Sequence, residues 1–296
     1  MSVVKRDLVG RRLVVTGAAR GIGAKVARVA AARGAQVALI GLEPDRLRTL
    51  AGELGQAATW CETDVRDGAA VQTAIDKSAH AMGGIDLVVA NAGVVAYGTV
   101  RQADDAAFEK VIDVNLNGTF RTLKSATPHL AATGGHVLVV ASALSFLALP
   151  AMGSYTASKA GVEMLALAYR QEVAQLGITV GLVHPSWIGT DLVKGAEQDL
   201  PSFVRLRKEL PYPGNVTTSV DKAAEAIVDG LVRRRGRVYV PRAVGAASWA
   251  KAALSSPVAW PWAKRFARKW VPALEREVRA LGRNEQLTPP GGDPGD

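Results

Sequence analysis

Tyr155 and Lys159 stand four residues apart in the segment Tyr155-Thr156-Ala157-Ser158-Lys159. At the start of a helix that spacing puts a phenol and an ammonium on one face. A neighbouring cation favours the phenolate and lowers its pKa, which suits a group that must give and take a proton near neutral pH. Tyr and Lys at this spacing also occur by chance on solvated helix faces, so the pair gains meaning from its company. Ser142 closes an apolar run thirteen residues before Tyr155 and can offer its hydroxyl to a substrate oxygen. Asn115, on a long helical stretch, can anchor a water that links Lys159 to solvent.

A second constellation suits an anion. Thr16-Gly17-Ala18-Ala19-Arg20-Gly21-Ile22-Gly23 leads from an apolar run into a helical one. Its glycines let the backbone approach a pyrophosphate, and the exposed amides and dipole at the helix start favour the negative charge. Alone, such a loop reads equally as a tight turn with no ligand; the strand-turn-helix context gives it weight. Asn91-Ala92-Gly93 follows the fourth apolar run, where the carboxyl edge of a sheet would form the ligand crevice. Its Asn can tie strand ends together by side-chain hydrogen bonds, or simply make an ordinary turn.

The elements that must position these groups alternate along the chain. Apolar runs at 13–16, 36–40, 58–61, 86–90, 136–141, 179–183 and 237–240 are bounded by turn residues, and several are apolar throughout. Helical spacing of apolar residues fills 22–33, 67–82, 104–131, 154–175 and 220–234. Gly34 and Gly177 stand where helix C-caps belong. The pattern predicts an α/β fold: a doubly wound, seven-stranded parallel sheet with helices on both faces. It ends near Pro241, which divides the chain into a catalytic unit at 1–241, a basic, Trp-containing helical extension at 242–287, and a Pro/Gly/Asp-rich tail at 288–296 with the composition of disorder.

Composition narrows the function classes. The 296 residues are 48% hydrophobic and 5% aromatic, enough for a large core. One cysteine, Cys61, excludes an intramolecular disulfide and a thiolate metal cluster, so no metal is expected; it reads as a strand residue in a reducing, cytoplasmic compartment. No long apolar run follows Lys5, Arg6 and Asp7, and no window supplies the ~20 apolar residues of a spanning helix. The net charge is +9, and residues 242–283 carry nine basic groups against two acidic ones. Without a recognised motif, that excess does not point to nucleic acid.

In order, Thr16-Gly17 with Gly21-Ile22-Gly23, Asp64-Val65, Asn91-Ala92-Gly93, Asn115, Ser142, Tyr155 with Lys159, and Pro185 with Thr190 resemble the motif set of the short-chain dehydrogenase/reductase family over roughly residues 7–241. The resemblance implies a Rossmann-type fold and an NAD(P)-dependent oxidoreductase that interconverts an alcohol and a ketone or aldehyde. It gives Tyr155 the proton exchange, and gives Lys159 the lowering of its pKa and the nicotinamide ribose. Ser142 would orient substrate and Asn115 complete a proton relay. Asp64 and Val65 would meet the adenine, and Ile188 and Thr190 the carboxamide. Asn91, Ala92, Gly93 and Pro185 would also lie along the cofactor. One departure is visible: Ser186 follows Pro185 where the family usually has Gly. Serine is tolerated there unless the position needs positive φ.

Gly41 closes the second strand, where an acidic residue would bind ribose hydroxyls and repel a 2′-phosphate. Arg20 can pair with that phosphate, which tilts the reading toward NADP(H); Glu43 could swing onto the ribose, which keeps NAD(H) open. Leu144, Phe146, Leu149, Trp187 and Leu192 follow Ser142 and Pro185, and predict a pocket for a small lipophilic substrate of steroid, retinoid, fatty or terpenoid type. In the tail, Trp260, Trp262, Phe266, Trp270, Leu274, Val278 and Leu281 recur at helical spacing among basic residues. This suits peripheral contact with a membrane surface, or a helix docked on protein. Pro272 would kink that helix. Helices apolar over more than one face suggest a homodimer or homotetramer. Two rival functions are a catalytically silent dinucleotide sensor, which would need no proton donor, and a nucleotide-sugar epimerase or dehydratase, whose pocket would need polar groups.

Overall fold

Strands apolar throughout can be buried only at the centre of a parallel sheet covered on both faces, and Val, Leu and Ile crowd that position here. The computed structural model describes residues 6–249, 251 and 256–281; the tail at 288–296 lies outside the described residues. Seven strands, β1 (Arg12–Thr16), β2 (Gln36–Gly41), β3 (Ala58–Glu62), β4 (Leu87–Ala90), β5 (His136–Val140), β6 (Thr179–Pro185) and β9 (Arg237–Val240), form one parallel sheet in the order β3-β2-β1-β4-β5-β6-β9. Every residue of β4 and β5 is buried. A separate short ladder joins β7 (Trp187–Ile188) to β8 (Thr217–Thr218). The α/β doubly wound, seven-stranded parallel architecture expected of the sequence is the one present, and Cys61 is a half-buried residue of β3.

Helices α1 (Gly21–Ala32), α2 (Pro44–Leu54) and α9 (Val220–Val232) bury their apolar stripes on one face of the sheet. On the other face lie α3 (Gly68–Met82), α5 (Gly118–Thr133) and α6 (Gly153–Glu172), with α4 (Asp105–Ile112) packed beside α6. Gly34 and Gly177 take positive φ where the sequence put the C-caps. The single helix expected over 104–131 is divided: one π-helical turn, Asp113–Asn117, separates α4 from α5. Helix α2 escaped the sequence reading, although Pro44 in its first turn and buried Leu47 and Leu50 mark it.

A third core forms beyond the carboxyl edge. There α7 (Asp191–Asp199) and α8 (Pro201–Glu209), neither anticipated from sequence, meet the C-terminal extension. After α10 (Val244–Trp249) comes α11 (Trp260–Ala280), which runs on through Pro272 as one helix. Trp270, Leu274 and Val278, one turn apart, are buried beside Leu200, Phe203 and Leu206. Polar ties fix the register: Glu275 accepts from Thr99 Oγ1 at 2.8 Å and from Arg101, Glu277 accepts from the Ser202 amide and hydroxyl, and Glu209 pairs with Lys269 and accepts from Trp270 Nε1. From Trp270 onward α11 is thus docked on the rest of the chain. Among the described residues no helix is long and apolar enough to cross a membrane.

Leu274 is fully buried in this contact. Leu274→Ala is expected to cost about 2–5 kcal/mol, the range for truncating a buried leucine. Urea denaturation checks it, and a loss under about 1 kcal/mol would mean that α11 is not an integral part of the fold.

Candidate active site

The sheet order reverses between β1 and β4, so the loops after these strands part and open a crevice at their carboxyl ends. Thr16 and Asn91 hold that crevice in shape. The Asn91 and Ala92 amides donate to Thr16 Oγ1 at 3.1 and 3.3 Å, and Asn91 Nδ2 donates to the carbonyls of Thr16 and Gly17 at 3.0 and 3.2 Å. This is the strand-end tie expected of Asn91. Gly17 has a φ of +65°, and a Cβ there would stand 2.8 Å from Ala92 Cα; at Gly23 it would stand 2.2 Å from the Gly17 carbonyl oxygen. No side chain caps the start of α1, so its first amides are free to meet an anion. The loop therefore fits a pyrophosphate: it is a cradle of bare backbone that side chains would fill.

Lys159 lies on α6 and is buried. Its Nζ donates to the Val140 carbonyl at 2.8 Å and stands 5.8 Å from the Tyr155 ring centroid. The helical spacing has brought the two together. Burial pulls the Lys159 pKa down to about 8, and, against the lowering expected of a neighbouring cation, desolvation holds the Tyr155 phenol above its ordinary value, with the Ser142 hydroxyl drawing it back. Ser142 Oγ also accepts from the Leu144 amide at 3.1 Å, which fixes its place at the end of β5.

Asn115 sits in the π-helical turn. Its Nδ2 donates to the Val94 carbonyl at 3.0 Å and to Ser158 Oγ at 2.9 Å, while its Oδ1 accepts from the Val94 amide at 2.8 Å. Ser158 Oγ in turn donates to the Tyr155 carbonyl at 2.8 Å. A Cβ on Gly93 would come within 3.2 Å of Asn115 Oδ1 and 3.5 Å of Lys159 Nζ. One chain of contacts thus links the β4 loop, the π turn and α6. Ser158 escaped the sequence reading because its spacing is that of any helix residue.

A single cavity of about 600 Å³ joins these parts. Its wall includes Gly17, Arg20, Gly21, Ile22, Asp64, Val65, Asn91, Ala92, Gly93, Ser142, Tyr155, Lys159, Pro185, Ile188 and Thr190. Gly23 and Asn115 lie behind the wall as packing groups. Of the five residues expected in the substrate pocket, Leu144, Leu149, Trp187 and Leu192 line the cavity. Phe146 does not: the short helical turn Ala143–Ser145 rotates it onto His184, 5.5 Å between ring centroids, and Val244. Ser186 keeps negative φ, since Ala151 and Arg234 are the positive-φ non-glycine residues described, so its departure from glycine costs no strain. The sequence reading missed Tyr97, which lines the cavity with its hydroxyl buried and lacking a hydrogen-bond partner. Burial raises its pKa. It also missed Tyr212, Ala247 and Trp262, which come from distant segments.

At the opposite end of the cavity Arg20 and Glu43 pair at 2.9 Å, beside Gly41. The two groups that sequence set as rivals for the ribose thus hold each other. Asp64 is gripped by Arg66 at 2.6 Å, and that hydrogen bond keeps its carboxyl below the usual range.

The family model described as short chain dehydrogenase matches residues 11–201. Over 221 residues the chain is 36% identical to cis-4-hydroxycyclohexanecarboxylate dehydrogenase of Sinomonas cyclohexanicum, covering 73% of this chain and 87% of that protein. It is 31% identical over 230 residues to (+)-borneol dehydrogenase 1 of Salvia officinalis, covering 76% and 88%. A crystal structure of a short chain dehydrogenase from Burkholderia cenocepacia in complex with NADP superposes with a TM-score of 0.70 at 28% identity, covering 79% of this chain and 97% of that one.

Burial of Lys159 sets a pH signature. With its folded pKa near 8, against 10.5 for a free lysine, the buried cation opposes folding below pH 8, and the opposition fades as pH rises from there through 10.5. Lys159→Met is therefore expected to be more stable than the parent at pH 7, with the gain shrinking above pH 8. Thermal unfolding across this range checks it; a variant less stable at pH 7 would mean the ammonium is held by interactions stronger than its desolvation.

Proposed function

The chain belongs to the short-chain dehydrogenase family, and from that premise we propose that Tyr155, Lys159, Ser142 and Asn115 carry its reaction on a lipophilic alicyclic alcohol or ketone. It is an NAD(P)-dependent oxidoreductase acting on a CH–OH or keto group. The observation that carries the residue assignment is that Ser142, Tyr155 and Lys159 share the wall of one cavity with the glycine-rich loop.

When bound, the dinucleotide supplies or accepts the hydride. Gly17, Gly21 and Ile22 would hold its pyrophosphate, Asp64 and Val65 its adenine, and Ile188 and Thr190 its carboxamide. The protein's own task is the proton. In reduction Tyr155 Oη gives its proton to the substrate oxygen, and in oxidation it takes one back. Ser142 Oγ orients that oxygen. The Lys159 ammonium stabilises the phenolate that reduction leaves. Asn115 holds the β4 loop against α6, so that Lys159 keeps its place.

Gly41 and Arg20 favour NADP(H), with Arg20 exchanging Glu43 for the 2′-phosphate; the NADP complex of the Burkholderia relative supports this. The apolar walls at Leu144, Leu149, Trp187 and Leu192 favour a lipophilic substrate, and the hydroxycyclohexane and borneol of the relatives' names are alicyclic alcohols. The unpaired Tyr97 hydroxyl gives this cavity a polar point, suited to a second oxygen on the substrate. Residues up to 241 act as the catalytic unit, and the helices after it complete its pocket. Exposed Phe108, Phe120 and Met164 on α4, α5 and α6 support a homo-oligomer through those helices.

Initial rates on alicyclic ketones test the reaction. The enzyme should favour NADPH over NADH, and Tyr155→Phe should still bind dinucleotide by fluorescence titration while turnover falls about 10²–10⁴-fold. Turnover undiminished in that variant would remove the assignment. Tyr97→Phe should lose about tenfold in kcat/KM on ketones bearing a second oxygen and little on those without. Equal losses on both would make Tyr97 a packing residue.

A further inference from the structure

Helix α11 treats its aromatic residues in two ways. Trp270 is buried with Leu274 and Val278, while Trp260 and Trp262 remain 62% and 56% exposed. They are not alone: Trp249, Val258 and Tyr212 are 89%, 88% and 64% exposed. Water is a poor neighbour for five such groups. Tyr212 and Trp262 also line the cavity, as does Ala247 two residues before Trp249. Exposed residues that line a cavity mark its mouth, so Tyr212 and Trp262 stand at the rim, with exposed Trp260 two residues from Trp262.

Charge says what faces the rim. Between residues 242 and 274 the chain has six basic residues, Arg242, Lys251, Lys264, Arg265, Arg268 and Lys269, and no acidic one. All six are exposed. Among the described residues, Lys269 alone of them has an ion-pair partner, Glu209. Trp260, Lys264 and Arg268 follow at intervals of four, so they form one stripe along α11. An indole at the end of a stripe of long cationic side chains is the arrangement that settles at a headgroup boundary, with the ring among the acyl ends and the cations among phosphates.

We propose that the rim of the cavity, built from Trp249, Val258, Trp260, Trp262 and Tyr212 and ringed by Arg242, Lys251, Lys264, Arg265 and Arg268, docks on an anionic lipid surface, so that lipophilic substrate enters from the bilayer without crossing water. The occupant is lipid because an apolar ridge, an uncompensated basic ring and the mouth of an apolar cavity coincide. The route for substrate rests on the substrate class proposed above; the docking does not.

Flotation of the full chain with phosphatidylglycerol/phosphatidylcholine vesicles, and with phosphatidylcholine alone, tests the docking without any assay of turnover. Recovery with the anionic vesicles should exceed that with neutral ones on the order of tenfold and fall in roughly 0.5 M salt. The double variant Trp249→Ser/Trp260→Ser, neither of which lines the cavity, should lose about tenfold in recovery. Its turnover of a water-soluble ketone should be unchanged, while turnover of a vesicle-dissolved one falls. Equal recovery from both vesicle types, or none, overturns the docking. Recovery unchanged in the double variant overturns it too, as does a drop in molecular mass of that variant by light scattering, which would make the ridge a contact between copies. Docking with no preference for lipophilic ketones would instead remove the substrate class and leave the docking standing.

Discussion

A buried ammonium is the constraint around which the centre of this molecule is organised. Lys159 Nζ reaches the Val140 carbonyl at 2.8 Å from inside the fold, and desolvation has pulled its pKa down to about 8. Such a group is costly to bury and has to be held from several sides. Strand β5 supplies the carbonyl at its carboxyl end, α6 supplies the lysine, and Gly93 keeps the neighbouring space clear of a Cβ. The π turn contributes Asn115, whose amide ties the β4 loop to Ser158 on α6. An extra residue in a helix is rarely tolerated without return; here it coincides with a side chain that bridges the β4 loop and α6.

The same logic explains why the sheet has its order. Parallel strands put all carboxyl ends on one edge, and the reversal between β1 and β4 parts the loops that follow them. Thr16 and Asn91 then hold the two ends at a fixed separation. Within that frame the glycines are sites of close approach: the Gly17 and Gly23 backbones lie where a methyl group would collide with Ala92 and Gly17. One scaffold therefore presents bare amides at one end of the cavity and a phenol with an ammonium at the other.

Sequence alone disclosed this half of the molecule well, for physical reasons. A strand buried on both faces is apolar without interruption, which marks β4 and β5, while the partly exposed edge strands β3 and β9 were legible as short runs between turn residues. A glycine-rich turn and a Tyr-Lys pair act through neighbours in the chain, and neighbours are visible. The far wall of the cavity was not. Leu200, Phe203 and Leu206 find Trp270, Leu274 and Val278 some seventy positions later, a pairing that leaves no local period. Phe146 belonged to the right loop but the wrong side of it, because a turn of three residues sends Leu144 inward and Phe146 onto His184. Tyr97 carries no pattern; its importance lies in a hydroxyl left without a partner, which only a folded structure reveals.

The C-terminal extension shows how one helix can answer two demands. Read from sequence, its aromatic and basic residues suit either a protein groove or a lipid surface. In the fold the part from Trp270 onward takes the protein groove, and the lipid surface is the reading proposed for the part before it. The part from Trp270 onward completes the third core and is tied by Glu275 and Glu277. The part before it has no acidic group, and its Trp262 lines the cavity while Trp260 stays exposed. Burial of the first half fixes where the second half points. A rim that water disfavours is stable in this position because the docked half, not the rim, supplies the burial that holds the helix in place.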